Sequence, residues 1–127
     1  MQSKPRILVA EDEKDIGRLV KFALESRGFE VTLVGDGRAA VEAAESGPYD
    51  LILLDVMMPN MDGYEAAKLI SDRDPSQPIA MLSAKAQKSE VQRGLDCGAV
   101  EYICKPFNPK ELAERVKALV EQRRRDA

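Results

Sequence analysis

Five side chains that could bind a metal ion or a phosphate each follow directly after a short apolar segment. They are Glu11, Asp12, Asp55, Ser83 and Lys105. Clustered carboxylates repel one another unless a cation joins them. Oxygen ligands without histidine or thiolate favour a hard ion, Mg²⁺ before Ca²⁺, because so small a set leaves room for water. A divalent ion beside one carboxylate nucleophile, with an ammonium and a hydroxyl opposite, is suited to phosphoryl transfer.

Asp55 follows the most distinctive of these segments. Residues 51–54 are four consecutive large aliphatic residues, and Pro59 with the turn at 60–63 ends the segment soon after. Since apolar and polar residues do not alternate, the segment favours a strand buried on both faces, as in a parallel sheet. Asp55 would then lie at the carboxyl end of a central strand, where open α/β sheets place their ligand crevices. By itself, Asp55 could equally cap the following turn.

The rest of the chain alternates strand and helix in the same way. Predicted strands cover residues 6–10, 29–34, 51–55, 79–82 and 101–104. Predicted helices cover about residues 16–27, 38–46, 63–70, 88–95 and 109–120. Glycines at 28 and 98 are typical of helix ends, and Asp62 and Asn108 are typical of helix starts. This alternation predicts an α/β fold, a single doubly wound five-stranded parallel sheet with five helices on its two faces.

The carboxyl ends of parallel strands share one edge of a sheet, so the five polar side chains would converge on one crevice. Each has an ordinary explanation when taken alone, because acids cap helices, serine begins turns and lysine is mostly a surface residue. Their coincidence at one edge favours a functional site. We expect one domain over residues 1–127, with a core at about 5–122 and a basic tail at 123–127.

Composition limits the classes of protein to which the chain can belong. Its 127 residues carry a net charge of −3, so we expect no direct contact of this domain with nucleic acid or with an anionic membrane. The absence of histidine excludes histidine general bases and nearly all zinc sites. No segment resembles a signal peptide or a membrane span, and Cys97 and Cys104 are too few for a disulfide framework. We therefore expect a cytoplasmic protein.

The chain resembles the receiver domains of bacterial two-component response regulators, of the chemotaxis-regulator type. The matching segments are residues 9–13, 54–59, 62–63, 82–84 and 102–107. The resemblance covers about residues 5–122 and is specific in combination. It implies the flavodoxin-like strand order 2-1-3-4-5.

The resemblance also implies a role for each residue of the crevice. Asp55 would accept a phosphoryl group from a phosphohistidine on a sensor histidine kinase or phosphotransfer protein. Asp12 would bind Mg²⁺ directly, Glu11 mostly through water, and Asp55 and the backbone carbonyl of Met57 would complete the protein ligands. Glu11 departs from the family, which more often has aspartate there. The domain would be a signalling module that assists its own phosphorylation and dephosphorylation, not an enzyme acting on a separate substrate.

Lys105 would pair with the phosphoryl group on Asp55. Two further residues, Ser83 and Tyr102, would serve as a switch. Ser83 would move to bond the phosphoryl group, and Tyr102 would swing inward into the space that Ser83 vacates. The change would alter the face formed by the fourth helix, the fifth strand and the fifth helix, and so signal to a partner or an output domain. The related family has a cis peptide bond at the position of Lys105 and Pro106, so the resemblance predicts a cis bond there.

The same face could form a phosphorylation-dependent homodimer. In the transcription-factor branch of the family, charges at positions similar to Arg93, Glu101 and Arg115 pair across a two-fold axis, which requires self-complementary patches. The match is partial, because Val100 stands where that branch usually has an acid. A solvated face without a partner is the alternative.

Three other functions are open at this point. A flavodoxin-like cofactor binder would share the fold, but residues 11–13 would repel a phosphate and the chain has no tryptophan to stack on a flavin. A phosphatase with an aspartyl nucleophile would need a second acid near Asp55, and position 57 is methionine. A degenerate receiver could serve for docking alone, although every catalytic position is filled.

Overall fold

The computed structural model describes residues 4–83, 88–105 and 108–126. Within these ranges five strands form one parallel sheet in the order β2-β1-β3-β4-β5, as predicted. The strands are β1 Arg6–Ala10, β2 Glu30–Val34, β3 Leu51–Asp55, β4 Ile79–Ser83 and β5 Glu101–Cys104. The helices are α1 Lys14–Glu25, α2 Gly37–Ala44, α3 Gly63–Arg73, α4 Lys88–Asp96 and α5 Pro109–Asp126.

The central strand β3 is buried along its whole length, as its unbroken apolar sequence predicted. Alternate side chains of a strand point to opposite faces, and β3 therefore contributes to two hydrophobic clusters. Leu51 and Leu53 pack with residues of α1 and α5, whereas Ile52 and Leu54 pack with residues of α2 and α3. Each fully buried leucine contributes about 1.5–3 kcal/mol relative to an exposed one, so β3 is a rigid base for Asp55.

Local signals in the sequence mark several element ends correctly. Gly28 and Gly98 have positive φ angles of 90° and 105° just beyond α1 and α4, a backbone conformation that favours glycine. The Asp62 carboxylate accepts a hydrogen bond from the backbone N–H of Glu65 at 2.9 Å and so caps α3. Asn108 accepts one from Lys110 N–H at 2.8 Å at the start of α5.

The carboxyl-terminal residues belong to the last helix. Of the predicted basic tail, residues 123–126 lie in α5. Arg124 Nε lies 3.3 Å from Asp50 Oδ1, and the other carboxylate oxygen of Asp50 accepts a hydrogen bond from Arg6 N–H at 2.8 Å. The end of α5 is therefore held against the amino-terminal edge of the sheet, opposite the edge where the predicted crevice lies.

Some expectations concern residues outside the described ranges. The predicted cis bond between Lys105 and Pro106 falls there, as do Ala84 and Phe107 of the matching segments. Among the helices of the described part of the chain, none is both long and apolar enough to cross a membrane.

Gly63 joins the carboxyl end of β3 to α3 at very close range. Its N–H donates to the carbonyl oxygen of Val56 at 3.0 Å, and a Cβ built on it would overlap the carbonyl oxygen of Asp55. We therefore expect Gly63→Ala to lower the free energy of unfolding by about 1–3 kcal/mol, the usual cost of forcing extra volume into a packed site. Urea unfolding measures this change.

Gly35→Ala is the matched control, because a Cβ at Gly35 has no neighbouring atom within 4 Å. If the Gly63→Ala and Gly35→Ala variants have the same urea midpoint of unfolding, the close approach of Gly63 to the Asp55 carbonyl does not require a glycine.

Candidate functional site

Three carboxylates from two neighbouring strands meet at the carboxyl edge of the sheet. Glu11 and Asp12 directly follow β1, and Asp55 is the last residue of β3. Each can place one carboxylate oxygen within 4.8 Å of the other two. Glu11 and Asp55 are buried and Asp12 is exposed. The backbone therefore brings together the three acids that the sequence assigned to one crevice.

Lys105 supplies the positive charge of the crevice. It follows β5, and its backbone N–H donates to the carbonyl oxygen of Ser83 at 2.7 Å. Its Nζ lies 2.6 Å from Glu11 Oε1 and 3.3 Å from Asp55 Oδ2. Since only 14% of the lysine side chain is exposed, these contacts are poorly screened by solvent. The sequence predicted that Lys105 would enter the crevice, but not that Glu11 would be its nearer partner.

One ammonium does not neutralise two buried carboxylates, and the pKa values of Glu11, Asp55 and Lys105 are all shifted from their usual values. Burial, together with the hydrogen bond and the negative charge of Glu11, raises the pKa of Asp55 to about 8. Burial acts to raise the pKa of Glu11 as well, but hydrogen bonds with Asp55 and Lys105 lower it below its usual value. Burial also opposes the charge on Lys105, yet its two carboxylate partners raise its pKa. Glu11 and Asp55 thus titrate as a pair that retains one proton.

This donor set fits a hard divalent cation. All three acids offer oxygen ligands, one of them faces solvent, and the buried pair has more negative charge than Lys105 neutralises. A cation bound by oxygen ligands could take the place of the retained proton. The predicted contribution of Met57 concerns its backbone carbonyl and stays a prediction; its side chain is 63% exposed in the segment after β3.

The two predicted switch residues lie on neighbouring strands. Ser83 is the buried last residue of β4, and Tyr102 of β5 is paired with Met81 of β4. The Tyr102 ring lies inside the molecule, with 8% of the residue exposed. Its hydroxyl lies 3.5 Å from the hydroxyl of Tyr64. We call this buried position of the ring its inward orientation; that Tyr102 swings inward on phosphorylation stays a prediction.

Sequence reasoning missed the surroundings of Tyr102. The Tyr64 hydroxyl contacts Glu90 of α4, and the guanidinium carbon of Arg93 lies 4.3 Å from the centre of the Tyr64 ring. Tyr64 had been assigned only to the start of a helix. The available signal was that a buried tyrosine hydroxyl usually has a hydrogen-bond partner, but no sequence pattern identifies that partner.

Comparisons with known proteins identify the family to which the chain is similar. A family model described as the response regulator receiver domain matches residues 7–117. The alkaline phosphatase synthesis transcriptional regulatory protein PhoP of Bacillus subtilis is 42% identical over 115 residues, which are 91% of this chain and 48% of that protein. The chain thus spans about half the length of the curated relatives that it matches.

Solved structures show the same architecture. The receiver domain of Francisella response regulator 1452 superposes with a TM-score of 0.88 at 34% identity, covering 94% of this chain and 98% of that one. A CheY-like response regulator receiver domain protein from Methanospirillum hungatei superposes with a TM-score of 0.92 at 28% identity, covering 98% and 100%. Since the family match spans nearly the whole chain and the fold agrees, this chain belongs to the response regulator receiver domains of two-component signalling.

Proposed function

We propose that this domain accepts a phosphoryl group on Asp55 from a phosphohistidine of a sensor histidine kinase or phosphotransfer protein. The observation that carries the proposal is the convergence of Glu11, Asp12, Asp55 and Lys105 at the edge of the sheet, within the distances given above. An oxygen of the Asp55 carboxylate would form a bond to phosphorus while the phosphorus–nitrogen bond of the donor breaks. The donor imidazole would keep the electron pair and take up a proton.

The electrostatics of the crevice support a requirement for Mg²⁺. Asp12 and Asp55, with Glu11 through water and the carbonyl of Met57, would hold the ion, and the ion would offset charge on the phosphoryl oxygens. The attacking carboxylate must be ionised, whereas burial and the neighbouring Glu11 raise the pKa of Asp55, so a cation beside this carboxylate would favour its ionised form. Lys105 is positioned to pair with a phosphoryl group on Asp55, since its Nζ already lies 3.3 Å from that carboxylate.

The other functions have less support. A cofactor phosphate would meet Glu11, Asp12 and Glu13 after β1, where the structure has three acids in sequence. Position 57, where an aspartyl phosphatase would need a proton donor, holds an exposed methionine. A receiver that only docks remains as the second candidate, and the phosphorylation experiment distinguishes it. That this domain itself does not contact nucleic acid stays a prediction, because the PhoP relative is a transcriptional regulator matched over half its length.

Phosphorylation can be measured by intact mass after incubation with acetyl phosphate and Mg²⁺. We expect the wild type to gain the mass of one phosphoryl group and Asp55→Asn to gain none, because the amide is not a nucleophile. Asp72→Asn is the matched control, since Asp72 is an exposed aspartate on α3 paired only loosely with Lys68 at 3.9 Å. A wild type that stays unmodified would favour the docking-only receiver.

Mg²⁺ should stabilise the fold, because the ion binds the native crevice and not the unfolded chain. At a concentration of 100 times Kd we expect a gain of about 2.7 kcal/mol in the free energy of unfolding. Asp12→Ala should remove most of that gain, and Asp72→Ala should keep it. Chemical denaturation with and without Mg²⁺ measures the difference. A full Mg²⁺ effect in the Asp12 variant would argue against its assignment as a ligand.

We further propose that phosphorylation changes the face formed by α4, β5 and α5, and that the domain forms a homodimer through it. Arg115 Nη2 lies 3.1 Å from Glu101 Oε2 on this face, so these two charges already pair within one chain. Leu95 and Val100 are exposed apolar residues on α4 and just before β5. A symmetric dimer could share the charged pair with its copy and bury the apolar residues.

The dimer can be tested by analytical ultracentrifugation with and without beryllofluoride and Mg²⁺. Beryllofluoride with Mg²⁺ mimics a phosphoryl group on Asp55. We expect this mimic to produce a dimer in the wild type and not in Arg115→Glu, because the substitution places a glutamate beside Glu101. Arg73→Glu is the matched control: Arg73 is similarly exposed and pairs with Glu45 at 2.9 Å on another face. A wild type that stays monomeric with the mimic bound would exclude the dimer and favour docking to a separate partner.

A further inference from the structure

Tyr64, the second residue of α3, connects three elements of the fold, α3, α4 and β5. It is 3% exposed. Its hydroxyl lies 2.8 Å from Glu90 Oε2 and 3.2 Å from the Glu90 carbonyl oxygen on α4, and 3.5 Å from the Tyr102 hydroxyl on β5. A single buried hydroxyl therefore contacts both α4 and the predicted switch residue.

The direction of these hydrogen bonds follows from the number of protons. A tyrosine hydroxyl has one proton to donate, and the carboxylate of Glu90 is the nearest and strongest acceptor. Burial and the neighbouring Tyr102 and Glu90 raise the pKa of Tyr64 well above its usual value, so it remains a donor. Because the bond to Glu90 uses the proton of Tyr64, the Tyr64 oxygen can accept from Tyr102 in the contact between the two tyrosines. At 3.5 Å this contact is weak, whereas the bond to Glu90 is short and assisted by charge.

The Tyr64 ring is held from α4 as well. The guanidinium carbon of Arg93 lies 4.3 Å from the ring centre, within the range of a cation–π interaction. One turn of α4 thus contributes a carboxylate to the hydroxyl of Tyr64 and a cation to its ring. The next residue, Gly94, leaves room for the other tyrosine, because a Cβ there would lie 3.0 Å from Tyr102 Cδ2.

Tyr64 is also close in the chain to the predicted phosphorylation site. It follows Gly63, whose N–H donates to the carbonyl oxygen of Val56 at 3.0 Å, and a Cβ built on Gly63 would overlap the Asp55 carbonyl oxygen. Tyr64 thus has a backbone fixed to the end of β3 and a side chain that contacts α4 and β5.

We propose that Tyr64 is a positioning residue for the switch, which holds α4 against α3 and receives the hydroxyl of Tyr102 in its inward orientation. An outward Tyr102 would lose this contact, so the Tyr64 hydroxyl favours the inward orientation. The strong bond to Glu90 holds α4 against α3, whereas the weak contact with Tyr102 can form and break. Tyr64 is the fixed partner and Tyr102 the residue that moves. The link to signalling rests on the proposed phosphorylation of Asp55, but the positioning of Tyr102 does not.

The first test measures the exposure of the Tyr102 ring without any phosphoryl group. The chain has three tyrosines, so isotope-labelled tyrosine gives few NMR signals, and single Tyr→Phe variants assign them. We expect Tyr64→Phe to increase the relaxation of Tyr102 ring signals by a soluble paramagnetic probe. Tyr49→Phe is the matched control, because Tyr49 is also buried and also lies under an arginine, with Arg6 Cζ 4.6 Å from its ring centre. It should leave Tyr102 protected.

Variants of Glu90 test the same contact from the side of α4. Glu90→Gln keeps an oxygen that can accept from Tyr64 and should leave Tyr102 as protected as in the wild type. Glu90→Ala removes the carboxylate and leaves the Tyr64 hydroxyl only the Glu90 backbone carbonyl at 3.2 Å. Because Tyr64 is then held less firmly, this variant should increase the exposure of Tyr102, which keeps the proposal testable if Tyr64→Phe fails to fold. Equal protection of Tyr102 in the wild type, Tyr64→Phe and Glu90→Ala would overturn the proposal. So would an equal increase in Tyr49→Phe, which would indicate general loosening.

The second test measures how Tyr64 affects the site through beryllofluoride affinity, by calorimetric titration in the presence of Mg²⁺. If the inward orientation accompanies phosphorylation, Tyr64→Phe should weaken beryllofluoride binding by about twofold to threefold, the low end of what one hydrogen bond contributes, because the contact with Tyr102 is weak. Tyr102→Phe should add little to that loss in the double variant, because both changes remove the same contact. Unchanged affinity, or fully additive losses, would contradict the coupling.

The two proposals fail in different ways. If the wild type neither binds beryllofluoride nor accepts a phosphoryl group, the proposed function fails, while the exposure of Tyr102 still decides the role of Tyr64. If phosphorylation by intact mass is normal in Tyr64→Phe and Tyr102 stays protected, the proposed function stands and the positioning role is wrong.

Discussion

Two buried carboxylates that share one ammonium are the constraint around which this molecule is built. Glu11 and Asp55 both lie out of solvent, and Lys105 contacts each of them. A buried charge without a partner is strongly unfavourable, so the three groups must be placed with little freedom. They come from the ends of three different strands, and only a rigid parallel sheet keeps those ends in register. The site thus depends on the core, and the core tolerates the site because a proton or a cation can complete its charge balance.

The architecture of that sheet could be predicted almost completely from the chain. The apolar segment at 51–54 indicated a strand buried on both faces, and the structure shows that alternate residues of it pack into opposite clusters. Polar residues at the ends of four of the five strands indicated which edge would carry the crevice, and Glu11, Asp12, Asp55 and Lys105 do meet there. These predictions succeed because hydrophobic periodicity reports burial, and burial determines how strands and helices assemble.

The partners of individual polar side chains could not be predicted in the same way. The closest contact of Lys105 is Glu11, 94 residues away in the chain, and no local pattern expresses such a distance. The sequence likewise indicated only that Tyr64 lies at the start of a helix, and it did not show where the hydroxyl finds its partners. Arg115 and Glu101 were predicted to share one face of the molecule, but the sequence did not indicate that they pair with each other within one chain. Side-chain pairing depends on differences in distance of a few tenths of an ångström, and these differences follow from packing in three dimensions.

The same charge balance explains how an event at Asp55 could reach a distant face. A phosphoryl group would bring a charge near −2 and would compete with Glu11 for the ammonium of Lys105. Lys105 directly follows β5, and its backbone N–H is bonded to the Ser83 carbonyl at the end of β4, so its position is linked to both strands. Tyr102 lies three residues before it on β5. Because a change is transmitted only through an element with two arrangements, the tyrosine ring and the α4 surface against it are better suited to respond than the fully buried β3.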